Sequence, residues 1–314
     1  MTYASFLAVF LCVPLALAML LTLADARRGR PLTAPAATAL AVHVVIAVAY
    51  TTPWDNHLVA SRVWWYDPAR VLGVTLGWVP LEEYVFFVLQ TLLTGLVLLA
   101  ALRRASPAAP FRASTRMRFA SSAAAMAAAG IAAAVLAGGW RPGAYLSLIL
   151  AWALPPIALQ LAVGADVLWH RRRAALGTLA AAVLYLGAAD ALAIRRGIWT
   201  IDPAQSLGWK VGGTLPVEEV VFFVVTNALI VAGLTLALAP ETWARAAGRG
   251  GAAPPSARPA RVTPSALHGA AELLAALPGA APSSPALARL LVGIDAFLAA
   301  LVLIAVSNWR PWRR

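Results

Sequence analysis

The chain has 314 residues, of which 61% are hydrophobic and 12% charged; a soluble domain carries about 25% charged residues, so the composition excludes an ordinary soluble enzyme and indicates an integral membrane protein. The formal net charge is +12. Its positive residues, arginines except for Lys210, stand in short loops beside apolar runs, where they set orientation and meet lipid headgroups, and nucleic-acid binding is not indicated.

A helix crossing the hydrocarbon needs roughly 20 mainly apolar residues. Read with that ruler, the sequence predicts spans at 3–24, 35–54, 77–101, 119–138, 144–168, 174–194, 212–239 and 286–306. The first is read as a retained helix: a signal peptide has its positive segment before the apolar run, whereas here Arg27, Arg28 and Arg30 follow it. Further clusters follow the third span (Arg103, Arg104, Arg112, Arg116, Arg118) and the fifth (Arg171, Arg172, Arg173). Because retained loops carry the Lys/Arg excess, these three are expected in the cytoplasm and the N-terminus outside.

Between the second and third spans lie Asp55, Trp64, Trp65 and Asp67-Pro68, and the third span opens on Pro80-Leu81-Glu82-Glu83-Tyr84-Val85-Phe86-Phe87. The same series returns as Asp190, Trp199, Asp202-Pro203 and Pro216-Val217-Glu218-Glu219-Val220-Val221-Phe222-Phe223. The Asp-to-Trp and Trp-to-Asp spacings are identical in the two copies, and one extra residue precedes the second Glu pair, so the chain is internally duplicated. Two three-helix units fused directly would be inverted relative to each other. The Ala-rich fourth span, which has no counterpart in either copy, restores the parity, and both Glu pairs then enter from one face in a parallel three-plus-one-plus-three arrangement. The fold class expected is an all-α integral membrane protein of seven helices plus a C-terminal eighth. Its divisions are a first repeat (1–105), a linking helix (106–140), a second repeat (141–240), an Ala/Pro/Arg-rich linker (241–285) and a C-terminal helix (286–314) that either crosses the membrane or lies along its surface. Arg310, Arg313 and Arg314 would put positive charge outside if it crossed.

One Pro-x-Glu-Glu block is adequately explained as a helix start, with Pro in the first turn and acids at the positive end of the dipole. A duplicated pair beside hydrocarbon is not, because a cap is equally well made by Ser, Thr or Asp and ionisable groups at membrane depth usually line a functional cavity. Two close carboxyls in such a place can divide acid and base roles, and aromatic faces can stabilise a passing cation; Phe86, Phe87, Phe222, Phe223, Trp64 and Trp199 are the candidates, with Trp65 and Tyr84 beside them. An interfacial aromatic belt is the alternative for the Trp residues. Together these groups suit protonation of an alkene and deprotonation of a carbocation on an apolar polyene dissolved in the bilayer, with no cofactor required. Adjacent helical residues diverge by about 100°, so one carboxyl of each pair is expected to face the cavity. Asp55, Asp190, Asp67 and Asp202 are second-rank candidates for proton supply or for tying down loops. Gln90 and Thr91, aligned with Thr226 and Asn227, are read as packing polar groups; Asp25 and Asp166 as partners of nearby arginines; and Asp295 has no assignment. The single cysteine, Cys12, leaves no disulfide and no thiolate site, the four histidines show no ligand spacing, and no Gly-x-Gly-x-x-Gly or phosphate loop is present.

The repeated Pro-x-Glu-Glu-x-x-Phe-Phe with its upstream Asp-Pro, over about residues 1–240, resembles the heterodimeric-type lycopene cyclases of actinobacteria, found fused in archaea and fungi, with the two small subunits joined in one chain. The resemblance implies ring formation at the ends of linear lycopene without redox change, an isomerase of the intramolecular lyase class. Glu82, Glu83, Glu218 and Glu219 would be the acid–base residues, supported by Pro80 and Pro216, with no metal and no cofactor. The partners it implies are the carotenoid, the bilayer of the cell membrane and other enzymes of the carotenoid pathway. Ring type, the number of ends cyclised and C40 or C50 substrate stay open. Two rivals are a proton-coupled transporter, which would call for Gly/Pro-broken helices that the sequence does not make evident, and a retinal photoreceptor, which would need a lysine inside the seventh helix, where Lys210 does not lie.

Overall fold

The computed structural model describes residues 1–105 and 110–246. The Ala/Pro/Arg-rich linker beyond Ala246, the eighth span at 286–306 and Asp295 lie outside the described residues. Among the described residues seven helices are long and apolar enough to cross a membrane: α1 (Tyr3–Arg27), α2 (Ala34–Ala60), α3 (Leu81–Arg104), α4 (Thr115–Ala137), α5 (Ala144–His170), α6 (Arg172–Arg195) and α7 (Val217–Leu238). The chain is an all-α membrane protein, with three small two-stranded ladders among the described residues. Met1–Ala239 forms one unit; beyond it, Pro240–Ala246 is a short helix, α8.

The side-chain distribution is that of a protein solvated by lipid. Leu17, Leu20, Val45, Ile131, Phe119 and Leu184 are more than half exposed, whereas Thr91, Thr94, Ser147, Thr178, Asn227 and Thr235 are buried. With no hydrophobic force between helices in hydrocarbon, close packing and interhelical hydrogen bonds hold the bundle. Gly95 shows the packing: a Cβ there would stand 2.3 Å from Leu40 of α2 and 3.2 Å from Leu234 of α7.

The ends of two helices differ from expectation. The third and seventh spans begin at Leu81 and Val217 rather than at 77 and 212, because each is preceded by a hairpin, β2–β3 (Thr75–Leu76 with Val79–Pro80) and β5–β6 (Lys210–Val211 with Leu215–Pro216). Gly77, Gly212 and Gly213 take positive φ in their turns, a conformation open to glycine. Pro80 and Pro216 occupy the residue before the first helical turn, in extended conformation, rather than the first helical position. Two helices also carry irregularities that hydropathy does not reveal. A π-helical turn at Ala8–Cys12 interrupts α1, and α5 holds Pro155 and Pro156 and departs from helical geometry at Gly164.

Two contacts fix the relation of the halves. Strand β1 (Trp64–Tyr66) pairs antiparallel with β4 (Trp199–Ile201), and Trp65 stands opposite Thr200, its own counterpart 135 positions on. The flanking bonds are reciprocal: Asp67 N–H donates to Ile198 C=O at 3.0 Å and Asp202 N–H to Val63 C=O at 2.8 Å. Deeper in the bundle Gln90 Nε2 donates to Thr226 Oγ1 at 3.3 Å, again a residue meeting its counterpart. A pseudo-two-fold axis therefore runs between the strands and down the α3–α7 contact, which is the parallel arrangement of repeats. Helix α4 packs chiefly on α5 and keeps only Ala129 and Ala132 buried.

The arginine clusters gather at the far end of the same helices. Asp25 at the end of α1 receives Arg104 Nη2 at 2.6 Å and Arg103 Nη2 at 3.3 Å, and Asp166 near the end of α5 accepts Ser114 N–H at 2.9 Å with Arg118 Nε 3.7 Å away. Both acids pair with arginines, though Asp25 takes two from the end of α3 rather than from the cluster that directly follows it.

Thr94 Oγ1 donates to Asn227 Oδ1 at 2.6 Å between α3 and α7, and Asn227 Nδ2 donates to Phe223 C=O. Thr94→Val leaves the amide oxygen without its partner and should lower stability in detergent by about 1 kcal/mol. Adding Asn227→Leu should recover part of that loss, as a double-mutant cycle by chemical denaturation would show.

Candidate active site

The hairpin ending in Pro80 delivers the chain to α3 with Glu82 and Glu83 in its first turn, and β5–β6 does the same for Glu218 and Glu219 in α7. Consecutive residues on a helix point about 100° apart, and the two carboxyls of each pair do part company. Glu82 turns back to the loop before its hairpin and accepts Leu72 N–H at 2.6 Å; Glu218 accepts Leu207 N–H at 2.6 Å. Leu72 and Leu207 are counterparts, so the first Glu of each pair is a tie between loop and helix start.

The second Glu of each pair faces a cavity on the pseudo-two-fold axis. Its carboxyls are Glu83, Glu219, Asp55 and Asp190. Four acids meet, as the duplication suggests, but two of them are the aspartates near the ends of α2 and α6 rather than Glu82 and Glu218, which do not line it. Asp55 interacts electrostatically with Glu83 and Glu219, and Asp190 with the same two.

Three tyrosines that the sequence reading passed over hold the glutamates. Tyr3, the first residue of α1, donates its hydroxyl to Glu83 Oε2, and Tyr145, in the first turn of α5, donates to Glu219 Oε1 at 2.6 Å. Both tyrosines are 1% exposed, and both backbone N–H groups are tied to the loops at this end, Tyr3 to Arg70 C=O and Tyr145 to Gln205 C=O. Tyr66 adds a second donor to Glu83 at 3.0 Å. Burial of the Tyr66 hydroxyl pushes its pKa well above the usual phenol value, and the neighbouring Glu83 charge pushes it further, so it remains a donor. The signal for Tyr3 and Tyr145 was their shared position at the start of each repeat's first helix, a faint one, since the two are 142 positions apart where the main motif repeats at 135–136.

Aromatic faces complete the walls: Trp64, Trp199, Phe6, Phe86, Phe222 and Phe223. Trp54 stacks on Phe222 at 5.8 Å and on Trp152 at 4.4 Å, extending the aromatic layer outward from the cavity. Phe87 packs beside Phe86 without reaching the lining. Tyr84 hydrogen-bonds Asn56 and Leu76 C=O, holding the first hairpin, and Trp65 stacks under Arg62 at 5.3 Å.

Asp67 and Asp202 stand outside the cavity. Each caps its own turn, accepting Ala69 N–H and Ala204 N–H at 2.9 Å; hydrogen bonds from Gln205 and Ala204 hold the Asp202 carboxyl below the usual carboxylate range. These are the turn-forming roles open to Asp before Pro. Gln90, Thr226 and Asn227 serve helix packing, away from the lining.

The arrangement presents carboxyls able to give and take a proton, fixed by phenol and indole donors and faced by π-systems, inside an apolar bundle. The family model for lycopene cyclases matches residues 1–100 and 142–236, both repeats without the linking helix. A lycopene beta-cyclase of Halobacterium salinarum is 40% identical over 237 residues, 75% of this chain and 95% of the relative. Bifunctional lycopene cyclase/phytoene synthases of Podospora anserina and Sporisorium reilianum are 35% and 37% identical, over 62% and 60% of this chain and 34% and 28% of their own length. No solved structure matches the chain. With both repeats matched and nearly the whole of the archaeal relative spanned, the chain belongs to the lycopene cyclase family.

Proposed function

We propose that the protein is a lycopene cyclase of the β type, an isomerase that closes the ends of linear lycopene into ionone rings within the membrane. The observation that carries this is the joining of four carboxyls and a ring of aromatic faces in one cavity made by both repeats. In this reading a carboxyl protonates the terminal alkene, the next alkene captures the cation to close the ring, and a carboxylate removes a ring proton. Substrate and product have the same formula, so the reaction needs no net oxidant or reductant. The aromatic walls stabilise the intermediate cation, each well-placed face contributing about 0.5–2 kcal/mol. Proton transfer by positioned side chains supplies about 10²–10⁴-fold.

The repeats 1–105 and 141–240 act as two halves of one enzyme, with 106–140 linking them, and the segments 241–285 and 286–314 are appendages to that unit. A single cavity on the axis takes one end of the polyene at a time, so a bicyclic product requires the monocyclic one to leave and return reversed. The arginine-rich end faces the cytoplasm of a cell membrane, which puts the N-terminus and the cavity at the opposite face.

Expression in cells that accumulate lycopene should yield pigments of unchanged mass and shortened chromophore, with the monocyclic product preceding any bicyclic one in a chromatographic time course. Unaltered lycopene with the protein present in the membrane would turn attention to a C50 substrate of the same family.

Glu83→Gln and Glu219→Gln should each lower conversion by about 10²-fold or more at normal protein levels. Glu82→Gln and Glu218→Gln keep an oxygen for the loop amide and should lose at most a few-fold; equal losses from all four, by pigment analysis normalised to immunoblot, would refute the separation of roles.

Orientation is checked with Cys12→Ser and single new cysteines. A membrane-impermeant maleimide should label Ala69→Cys in intact cells and should reach Arg173→Cys only after permeabilisation.

A further inference from the structure

The two halves of the cavity carry the same acids but do not hold them alike, and the difference traces to one position. Residue 66 is tyrosine; its counterpart in the second half, 135 positions on, is Ile201. In the half with isoleucine, Trp199 Nε1 donates to Asp190 Oδ1 at 2.9 Å, and Glu219 accepts one phenol, that of Tyr145. In the half with tyrosine, Trp64 Nε1 donates instead to Tyr66 Oη at 3.2 Å, and the Tyr66 hydroxyl donates to Glu83. Glu83 so gains a second phenol beside Tyr3, while Asp55 loses the indole that its counterpart keeps. Asp55 and Asp190 are both buried, and the Oδ2 of each lies without a hydrogen-bond partner, so what separates them is the indole bond that Asp190 receives at Oδ1.

Hydroxyl donors hold a carboxyl in its ionised form, each making a charge-assisted bond. Of the two aspartates, the one that receives no indole bond has both oxygens free to carry a proton toward a ligand. We infer that Tyr66 breaks the symmetry of the site and divides its work. Asp55 is the acid that protonates the terminal alkene, and Glu83, held by Tyr3 and Tyr66, is the base that removes the ring proton. Tyr66 is the positioning residue that sets this direction. The Asp55 O–H bond breaks as a C–H bond forms on the alkene, the alkene pair closes the ring bond, and a ring C–H bond breaks to restore a double bond. The proton released forms an O–H bond on Glu83, and its passage across the cavity to Asp55 resets the site with no net gain or loss. Glu219 and Asp190, in the half without a second phenol, complete the cation's surroundings.

This inference rests on the cyclase reading, and wild-type chain in lycopene-producing cells separates the two: no ring from wild type defeats that reading before the division of roles is in question. With active wild type, Asp55→Asn should lower conversion by about 10²-fold or more, and Asp190→Asn by distinctly less, at equal membrane-resident protein. Tyr66→Phe removes the hydroxyl alone. It should still cyclise but change which ring proton is lost, seen as an altered ratio of β to ε ends by chromatography against standards. That ratio is independent of how much protein accumulates, and simple loosening of the fold would lower yield without moving it. An Asp190→Asn loss equal to or greater than that of Asp55→Asn, or an unchanged end-group ratio in Tyr66→Phe, overturns the assignment.

Discussion

A carboxyl inside a membrane bundle must find its hydrogen-bond donors within the protein, because neither lipid tails nor bulk water supplies them. Most of the architecture at the site end answers that demand. The loops return after α2 and α6 so that Leu72 and Leu207 can offer their amides to Glu82 and Glu218, and α1 and α5 begin on tyrosines that reach Glu83 and Glu219. The hairpins before α3 and α7 set the depth at which each Glu pair begins. At the opposite end the same demand is met by arginines at Asp25 and Asp166. The bundle is polar at its two ends for different reasons, one anchoring, the other chemical.

Duplication is what turns two ordinary helix starts into a site. Each repeat alone has a carboxyl at the N-terminus of one helix and another near the end of its neighbour, which is half of a cavity. The axis through Trp65–Thr200 and Gln90–Thr226 brings the halves face to face, and the cavity forms where they meet. Because the axis is only approximate, the two halves share a frame while differing in single side chains, and Tyr66 against Ile201 is the difference that reaches the acids.

Much of this was legible in the sequence. Seven spans, the parity role of the fourth, the repeat and the meeting of Glu83 with Glu219 follow from hydropathy, arginine placement and the spacing of Asp, Trp and Glu. What stayed hidden depends on short-range geometry. Glycines at positive φ convert the approaches to α3 and α7 into hairpins, which a hydropathy window reads as helix because Val74, Leu76, Val211 and Leu215 are apolar. The choice between Glu82 and Glu83 depends on helical phase, which places one carboxyl at a loop amide and the other at the cavity, and the promotion of Asp55 needs α2 to run on past its apolar segment, whereas Asp190 lies inside the sixth span and needs only the helix's phase. Tyr3 and Tyr145 were concealed because the spacing of the repeat differs between its first helix and its motif.

The pairing of β1 with β4 has a further consequence for how such an enzyme assembles. A strand whose central residue meets its own counterpart across a two-fold axis is self-complementary, the condition for an isologous contact between identical units. A free first half would therefore offer its strand to another first half nearly as readily as to a second half, and such a pair would carry two copies of Tyr66, a pair of second halves none. Helix α4 makes the mixed pairing intramolecular, and at the millimolar effective concentrations that short tethers give the mixed pair outcompetes the homotypic ones. The linking helix thus does more than restore parity: it fixes stoichiometry and composition, so that every site formed contains one half of each kind.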